Sequence, residues 1–215
     1  MPVFKTLRAC HNILMQFVPM EKEGLRGRKR RETLHRIAET GLKLFVENGY
    51  DATTLESVAA ASGISARTLF YYFGSKYEIL QFWFDFPGGG LLNALRPLMI
   101  EEVPNNTPLV SVRNCLLQVV SRFETEKSLI VDRLMQSTEA LRMQMQMIFV
   151  EMEEDLLTVL GERWPLPERR PTLRMVAMIA IGAMRLAMVD WRQENGARPL
   201  AEYLRDSYDV LETQV

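Results

Sequence analysis

The stretch SARTLFYYFGSK, residues 65–76, sets a run of four aromatics between Arg67 and Lys76 and decides the fold. Ser65 can cap a helix there, and Gly74 can stop it. Leu69 and Phe73 lie four apart and are expected to pack inward, toward Phe45 and Val58, with Phe70 joining that core. Arg67, Thr68, Tyr71 and Tyr72 are left on the other side. Upstream, Thr53 and Glu56 have the spacing of a capping box that opens a short helix through Val58, Ala59 and Ala60, ended by Ser62-Gly63. Before it, Leu34, Ile37, Ala38, Leu44 and Phe45 recur at helical spacing from Arg31 to Asn48, and Asn48-Gly49 supplies the stop.

A short helix, a tight link through Gly63 and a second short helix make a helix-turn-helix pattern. Residues near the amino end of the second helix, Ser65, Ala66, Arg67 and Thr68, are those that reach base edges in a major groove. Arg67 is the expected base reader, because a guanidinium donates two parallel bonds to guanine. The hydroxyls of Thr54, Tyr71 and Tyr72 and the ammonium of Lys76 suit phosphates. The basic run Arg26, Arg28, Lys29, Arg30, Arg31 precedes the first helix, and Arg28 and Arg30 are expected in a flexible arm that follows the DNA backbone.

Residues 31–80, above all TTLESVAAASGISARTLFYYFGSK, resemble the DNA-binding domain of the TetR family of transcriptional regulators. The family pattern at the end of the recognition helix is similar to L-Y-x-H-F-x-S-K. This chain departs from it twice, with Phe70 at the usual Tyr and Tyr72 at the usual His. Phe70 cannot donate a hydrogen bond, so one phosphate contact familiar in the family is missing from it; Tyr72 keeps a donor. The resemblance implies an all-α fold, with an amino-terminal three-helix domain and a larger helical domain that binds an effector and dimerises.

Charge supports that division. From Met1 to Leu80 there are 12 Lys and Arg against 8 Asp and Glu; from Gln81 onward there are 14 against 19. A basic part joined to an acidic remainder suits a polyanion-binding module on a larger body. Helix patterns continue over 91–101, 109–123, 127–135 and 139–160, the last followed by Gly161 and Trp164-Pro165-Leu166-Pro167. Pro171 suits the first turn of a helix reaching Glu194, and a final helix covers 199–211. The expected domains are an amino-terminal extension over 1–24, the DNA-binding domain over 25–80 and the effector and dimerisation domain over 81–215. Within the extension, Leu7, Cys10, Leu14 and Phe17 have helical spacing, and the start is either a short added helix or a leader ahead of Met20. Its apolar residues are interrupted by His11, Asn12 and Gln16, so it does not read as a signal peptide, and no apolar run nears the ~20 residues of a membrane span.

Residues 133–160 and the stretch AMVDWRQENGARPLAEYL more narrowly resemble the branch similar to the mycofactocin-system regulator, whose carboxy-terminal domain is associated with acyl-CoA-like ligands. The chain has 13 Met, and flexible thioethers both fill core gaps and line pockets for irregular apolar molecules. Trp83, Phe86, Phe123, Met147 and Phe149 are the candidate pocket wall. A helix opened at Ser75 and carrying Trp83 and Phe86 onward would transmit effector binding to the DNA-reading part. Met143, Met145 and Met147 alternate, so they cannot share one helical face. Ala177, Ala180, Gly182, Ala183 and Ala187 permit close approach of another helix, so helices 171–194 and 199–211 are the expected homodimer interface.

Enzyme motifs are absent: there is no G-x-S-x-G, no H-E-x-x-H and no glycine loop with a Lys, and His11 and His35 have no ligand spacing around them. Cys10 and Cys115 form no metal or redox motif. The expectation is therefore a cytoplasmic transcriptional repressor, released from DNA by its effector, with no catalytic residues, metal or cofactor. It would bind a palindromic double-stranded operator and a small lipophilic effector, with no membrane partner. The alternative is a carrier or sensor of apolar molecules without ligand-controlled DNA release.

Overall fold

Leu34, Ile37, Ala38, Gly41, Leu42 and Phe45 recur every three or four residues along the first helix, and the computed structural model buries all six. The structure describes residues 24–84, 91–102 and 106–214. Among them are ten α-helices and no strand. The extension over residues 1–23 lies outside the described residues. The chain divides into two units, Met1–Gly89 and Gly90–Val215.

The first unit holds α1 (Leu25–Asn48), α2 (Leu55–Ala61), α3 (Ala66–Tyr72) and α4 (Lys76–Gln81). Its core joins the inner face of α1 to Val58, Ala59, Leu69, Phe73, Ile79 and Leu80. Two glycines are dictated by geometry. Gly49 ends α1 at φ +87°, where an L side chain is strained, and its N–H reaches the Phe45 carbonyl. Gly41 is needed for a different reason: a Cβ there would lie 2.5 Å from Ile79 Cγ2, so its absence lets α4 press against α1.

Two expectations change here. The basic run is not an arm ahead of the first helix: α1 starts at Leu25, and Arg26 to Arg31 form its first two turns. Arg and Lys are good helix formers, and Arg28 pairs with Glu32 one turn on at 3.5 Å. The fourth helix also stops early, at Gln81. Phe82, Trp83 and Phe84 follow in tight turns, with the Trp83 and Phe84 amides bonding three residues back to Leu80 and Gln81. Phe86 lies outside the described residues.

The second unit holds α5 (Leu91–Glu101), α6 (Pro108–Phe123), α7 (Ser128–Met135), α8 (Glu139–Arg163), α9 (Arg170–Gln193) and α10 (Leu200–Gln214). Helix α9 packs against α6, α7, α8 and α10, so it is the spine of this unit. Thr107 and Thr138 cap α6 and α8 by accepting from Val110 and Leu141. Helix α8 runs through Gly161 rather than ending near it. A helical Gly costs only about 1 kcal/mol, whereas Trp164 precedes Pro165 and is barred from the helical region, which it leaves at ψ 77°. The buried carboxylate of Asp132 on α7 accepts from the Arg192 guanidinium and so ties α7 to the end of α9. Burial raises the pKa of Asp132 even with Arg192 beside it.

Helix α9 is long and apolar enough to cross a membrane by length and composition, although Arg174 and Arg185 interrupt its apolar run. Its packing accounts for that apolarity. One face, from Leu173 through Ala180 and Ala187 to Trp191, is core. A second stripe, with Met175, Met178, Leu186 and Val189, is left exposed.

Candidate nucleic-acid interface

Helix α3 is short but held at both ends. The Ser65 hydroxyl accepts from the Thr68 N–H at 3.1 Å and shares a 2.8 Å hydrogen bond with the Thr68 hydroxyl. At the other end the Phe73 N–H donates to the Leu69 carbonyl at 2.9 Å. Leu69 and Phe73 are buried, as the four-residue spacing predicts, and so are Phe45 and Val58. Ala66 and Thr68 are half-buried beside them. The outward face carries Arg67, Phe70 and Tyr71, all exposed, while Tyr72 is half-buried with its ring set edge-on to Tyr71 at 5.2 Å.

Phe70 is therefore not a core residue: it is 51% exposed. With Leu69 and Phe73 facing inward, the next position round a 3.6-residue helix has to face out. The aromatic run hid this, because composition alone makes such a run look like core.

The capping box also moves by one residue. Thr54, not Thr53, caps α2: its hydroxyl accepts from the Ser57 N–H, and the Ser57 hydroxyl accepts from the Thr54 N–H. Thr53 is buried, and its hydroxyl donates toward the Leu44 and Gly49 carbonyls at 3.1 and 2.8 Å, closing the end of α1. Glu56 is left exposed. Thr54 stays exposed at the start of α2.

Lys76 has an internal task. Its ammonium donates to the Tyr50 carbonyl at 2.6 Å and to the Asp51 carbonyl at 3.2 Å, and stands over the Tyr50 ring. It thus pins the start of α4 to the link between α1 and α2. Ser75 caps α4 as expected, but the Glu78 carboxylate reaches back to the Gly74 N–H rather than to the cap residue.

Helix α1 opens with Arg26, Arg28, Lys29 and Arg30 and has no acid in its first turn. Cations at a helix amino end oppose its dipole, by about 0.3–1 kcal/mol each when exposed. An anion beside this end would relieve that repulsion, and a phosphate backbone is such an anion. His35, the one histidine among the described residues, is exposed and meets the Phe82 ring edge-on. No cluster of metal-ligating side chains occurs among the described residues.

Of the candidate pocket wall, the side chains of Trp83, Met147 and Phe149 are described. Trp83 belongs to the first unit, where its indole N–H donates to the Ala38 carbonyl at 3.3 Å. Phe149 is buried in the second unit beneath the Arg185 guanidinium, and Met147 is exposed on the outside of α8. The Phe123 side chain and Phe86 lie outside the description. Of the three alternating methionines only Met145 is buried; Met143 and Met147 face solvent. Cys115 is buried in the same unit, and desolvation, with the Glu102 carboxylate adding, pushes its thiol up to about 12.

What the second unit does present is a groove of about 570 Å³ between α9 and α10. Its floor and walls include Gly182, Ala183, Leu186 and Val210, and one end is polar, with Arg198 bonded to Asp206 at 3.0 Å. A Cβ on Gly182 would meet nothing within 4 Å. The protomer itself therefore has no need of glycine there.

Comparison with known proteins agrees with both units. Residues 37–81 match the family model described as bacterial regulatory proteins, tetR family, and residues 106–215, just over half of the chain, match the MftR C-terminal domain. The chain is 39% identical over 67 residues to the "Putative mycofactocin biosynthesis transcriptional regulator MftR" of Mycobacterium tuberculosis, covering 31% of this chain and 33% of that protein. It is 43% identical over 56 residues to the HTH-type transcriptional regulator TcmR of Streptomyces glaucescens, covering 26% and 25%. The matched region thus spans a third or less of the curated relatives. Among solved structures, it is similar to native NalD, the secondary repressor of a multidrug efflux pump in Pseudomonas aeruginosa, at TM-score 0.57 and 19% identity, covering 84% of this chain and 96% of that one. A regulator of the TerR/AcrR family from Aquifex aeolicus gives TM-score 0.51 at 19% identity, covering 85% and 99%. Identities this low speak for a shared fold.

Proposed function

The chain belongs to the TetR family of bacterial regulatory proteins, and from that premise we propose that it is a cytoplasmic transcriptional repressor that binds a palindromic operator as a homodimer. The observation that carries this reading is the outward face of α3, where Arg67 and Tyr71 stand exposed on a helix whose inner face is locked into the core. Arg67 reads a guanine, the Tyr71 and Tyr72 hydroxyls and the basic start of α1 take phosphates, and the half-buried Thr68 lies beside them. The dimer forms through α9 and α10, where Met175, Met178, Leu186, Val189 and Val210 are exposed on the described protomer. A two-fold dimer would present two copies of α3 roughly 34–36 Å apart, one turn of B-DNA.

The effector is a small lipophilic molecule bound in the carboxy-terminal unit, with a long-chain acyl-CoA the first candidate. The match to the MftR C-terminal domain supports that placement, as does a core with Met99, Met135, Met145 and Met184 buried, since thioethers adapt to irregular apolar shapes. Effector and operator then oppose one another, each weakening the other by the same factor, typically ~5–150-fold.

Selection of a bound sequence from random DNA, followed by a salt titration, tests the regulator. A palindrome with a steep loss of affinity as salt rises is the expected result. Adding acyl-CoAs of increasing chain length to the operator complex tests the effector, with release growing with length. Absence of binding to any DNA would leave the carrier reading in its place.

A further inference from the structure

Phe70 is the residue on the recognition helix whose chemistry the phosphate-and-guanine reading does not use. It sits three residues after Arg67 and next to Tyr71, which is 66% exposed, so the three share one outward face. Its position is not a product of a frayed end: Ser65 caps α3, and the Phe73 amide closes it onto Leu69. Half of a phenyl ring is thus held in water, in the centre of a surface that is otherwise cationic and hydroxylic.

A phenyl ring cannot donate to a phosphate or bond to a base edge. In a major groove it can meet one apolar group, the C5-methyl of thymine. On the reading of this face as a DNA-binding surface, we infer that Phe70 is a specificity-determining residue that contacts a thymine methyl. It fixes an A·T pair close to the guanine taken by Arg67, since residues three apart lie one helical turn from each other. Where a tyrosine at this place could serve a phosphate and leave sequence alone, phenylalanine converts the position into a base reader.

The test uses the full chain and its selected operator. Each thymine is replaced in turn by deoxyuridine, which removes only the methyl and keeps every hydrogen bond. At one thymine per half-site the wild-type affinity should fall about fourfold, the worth of one apolar carbon returned to water. The same replacement should cost nothing further in Phe70→Ala, and Phe70→Leu should keep part of the penalty. Because Phe70 is half exposed, both variants should melt near wild type. If Phe70→Ala binds too weakly to measure, Phe70→Leu and the wild-type scan carry the comparison. A scan with no sensitive thymine, or an equal penalty with and without the ring, overturns the inference and leaves operator binding intact. Failure of the wild-type chain to bind any DNA instead overturns the regulator reading on which it rests.

Discussion

The Lys76 ammonium donates to the Tyr50 carbonyl at 2.6 Å, across 26 residues of sequence, and so joins the two ends of the helix-turn-helix unit. A second bond to the Asp51 carbonyl and the Tyr50 ring beneath complete its surroundings. Hydrogen bonds to a charged group contribute about 1.5–3 kcal/mol, more than neutral ones. Lys76→Ala should therefore lower the unfolding free energy by ~1.5–3 kcal/mol, measured by urea denaturation, as well as weaken DNA binding. Lys76→Met, which keeps the stem and removes the charge, should lose nearly as much. Unchanged stability in both would return Lys76 to a purely phosphate-binding role.

Arg67 is exposed, so its removal is expected to leave the fold alone and act on recognition. Arg67→Ala should cost on the order of 1–3 kcal/mol on the selected operator and flatten preference at one base pair per half-site. Lys29→Ala in the first turns of α1 should act differently. It should weaken binding to all sequences alike and reduce the slope of the salt dependence by about one. Competition between operator and random DNA separates the two outcomes.

Much of this was legible from spacing. Helix-stop chemistry at Asn48-Gly49 and Gly63 reappears as glycines at positive φ. The four-residue interval from Leu69 to Phe73 gave the inward face of α3. The misses share a cause: the pattern named a residue type, but a neighbour decided its use. Thr53 and Thr54 are adjacent and chemically alike, and only the Leu44 and Gly49 carbonyls make Thr53 the buried one. The partners of Lys76 lie 25 and 26 residues upstream, beyond any local signal.

The Cys115 thiol, pushed up to about 12 from an ordinary 9.0, gives a pH dependence with a fixed sign. Above about pH 9 the unfolded chain loses this proton while the folded chain keeps it. The folded state then binds more protons, so stability falls as pH rises from 9 toward 12. Cys115→Ala should flatten that part of the profile. In a Cys10→Ser background the native thiol should also react with a thiol reagent only as fast as the unit opens, because a protonated buried thiol is a poor nucleophile. Rapid labelling of the folded chain at pH 8 would contradict the burial.

Gly182 offers the sharpest separation of protomer from assembly. A glycine in a helix interior costs roughly 0.5–1 kcal/mol relative to alanine, and here nothing beyond the neighbouring residues and backbone of α9 lies within 4 Å of its missing Cβ. Within one chain, then, Gly182→Leu should be harmless or mildly stabilising. In a dimer built on the α9 and α10 groove the same leucine would fill the space a second helix needs, beside Leu186 and Val210. Sedimentation equilibrium should show wild type as a dimer and Gly182→Leu as a folded monomer, with helical content by circular dichroism retained. Operator affinity should fall with dimerisation, since a lone recognition helix engages one half-site. A variant that still sediments as a dimer, with operator binding intact, would move the interface off this groove without disturbing the reading of α3.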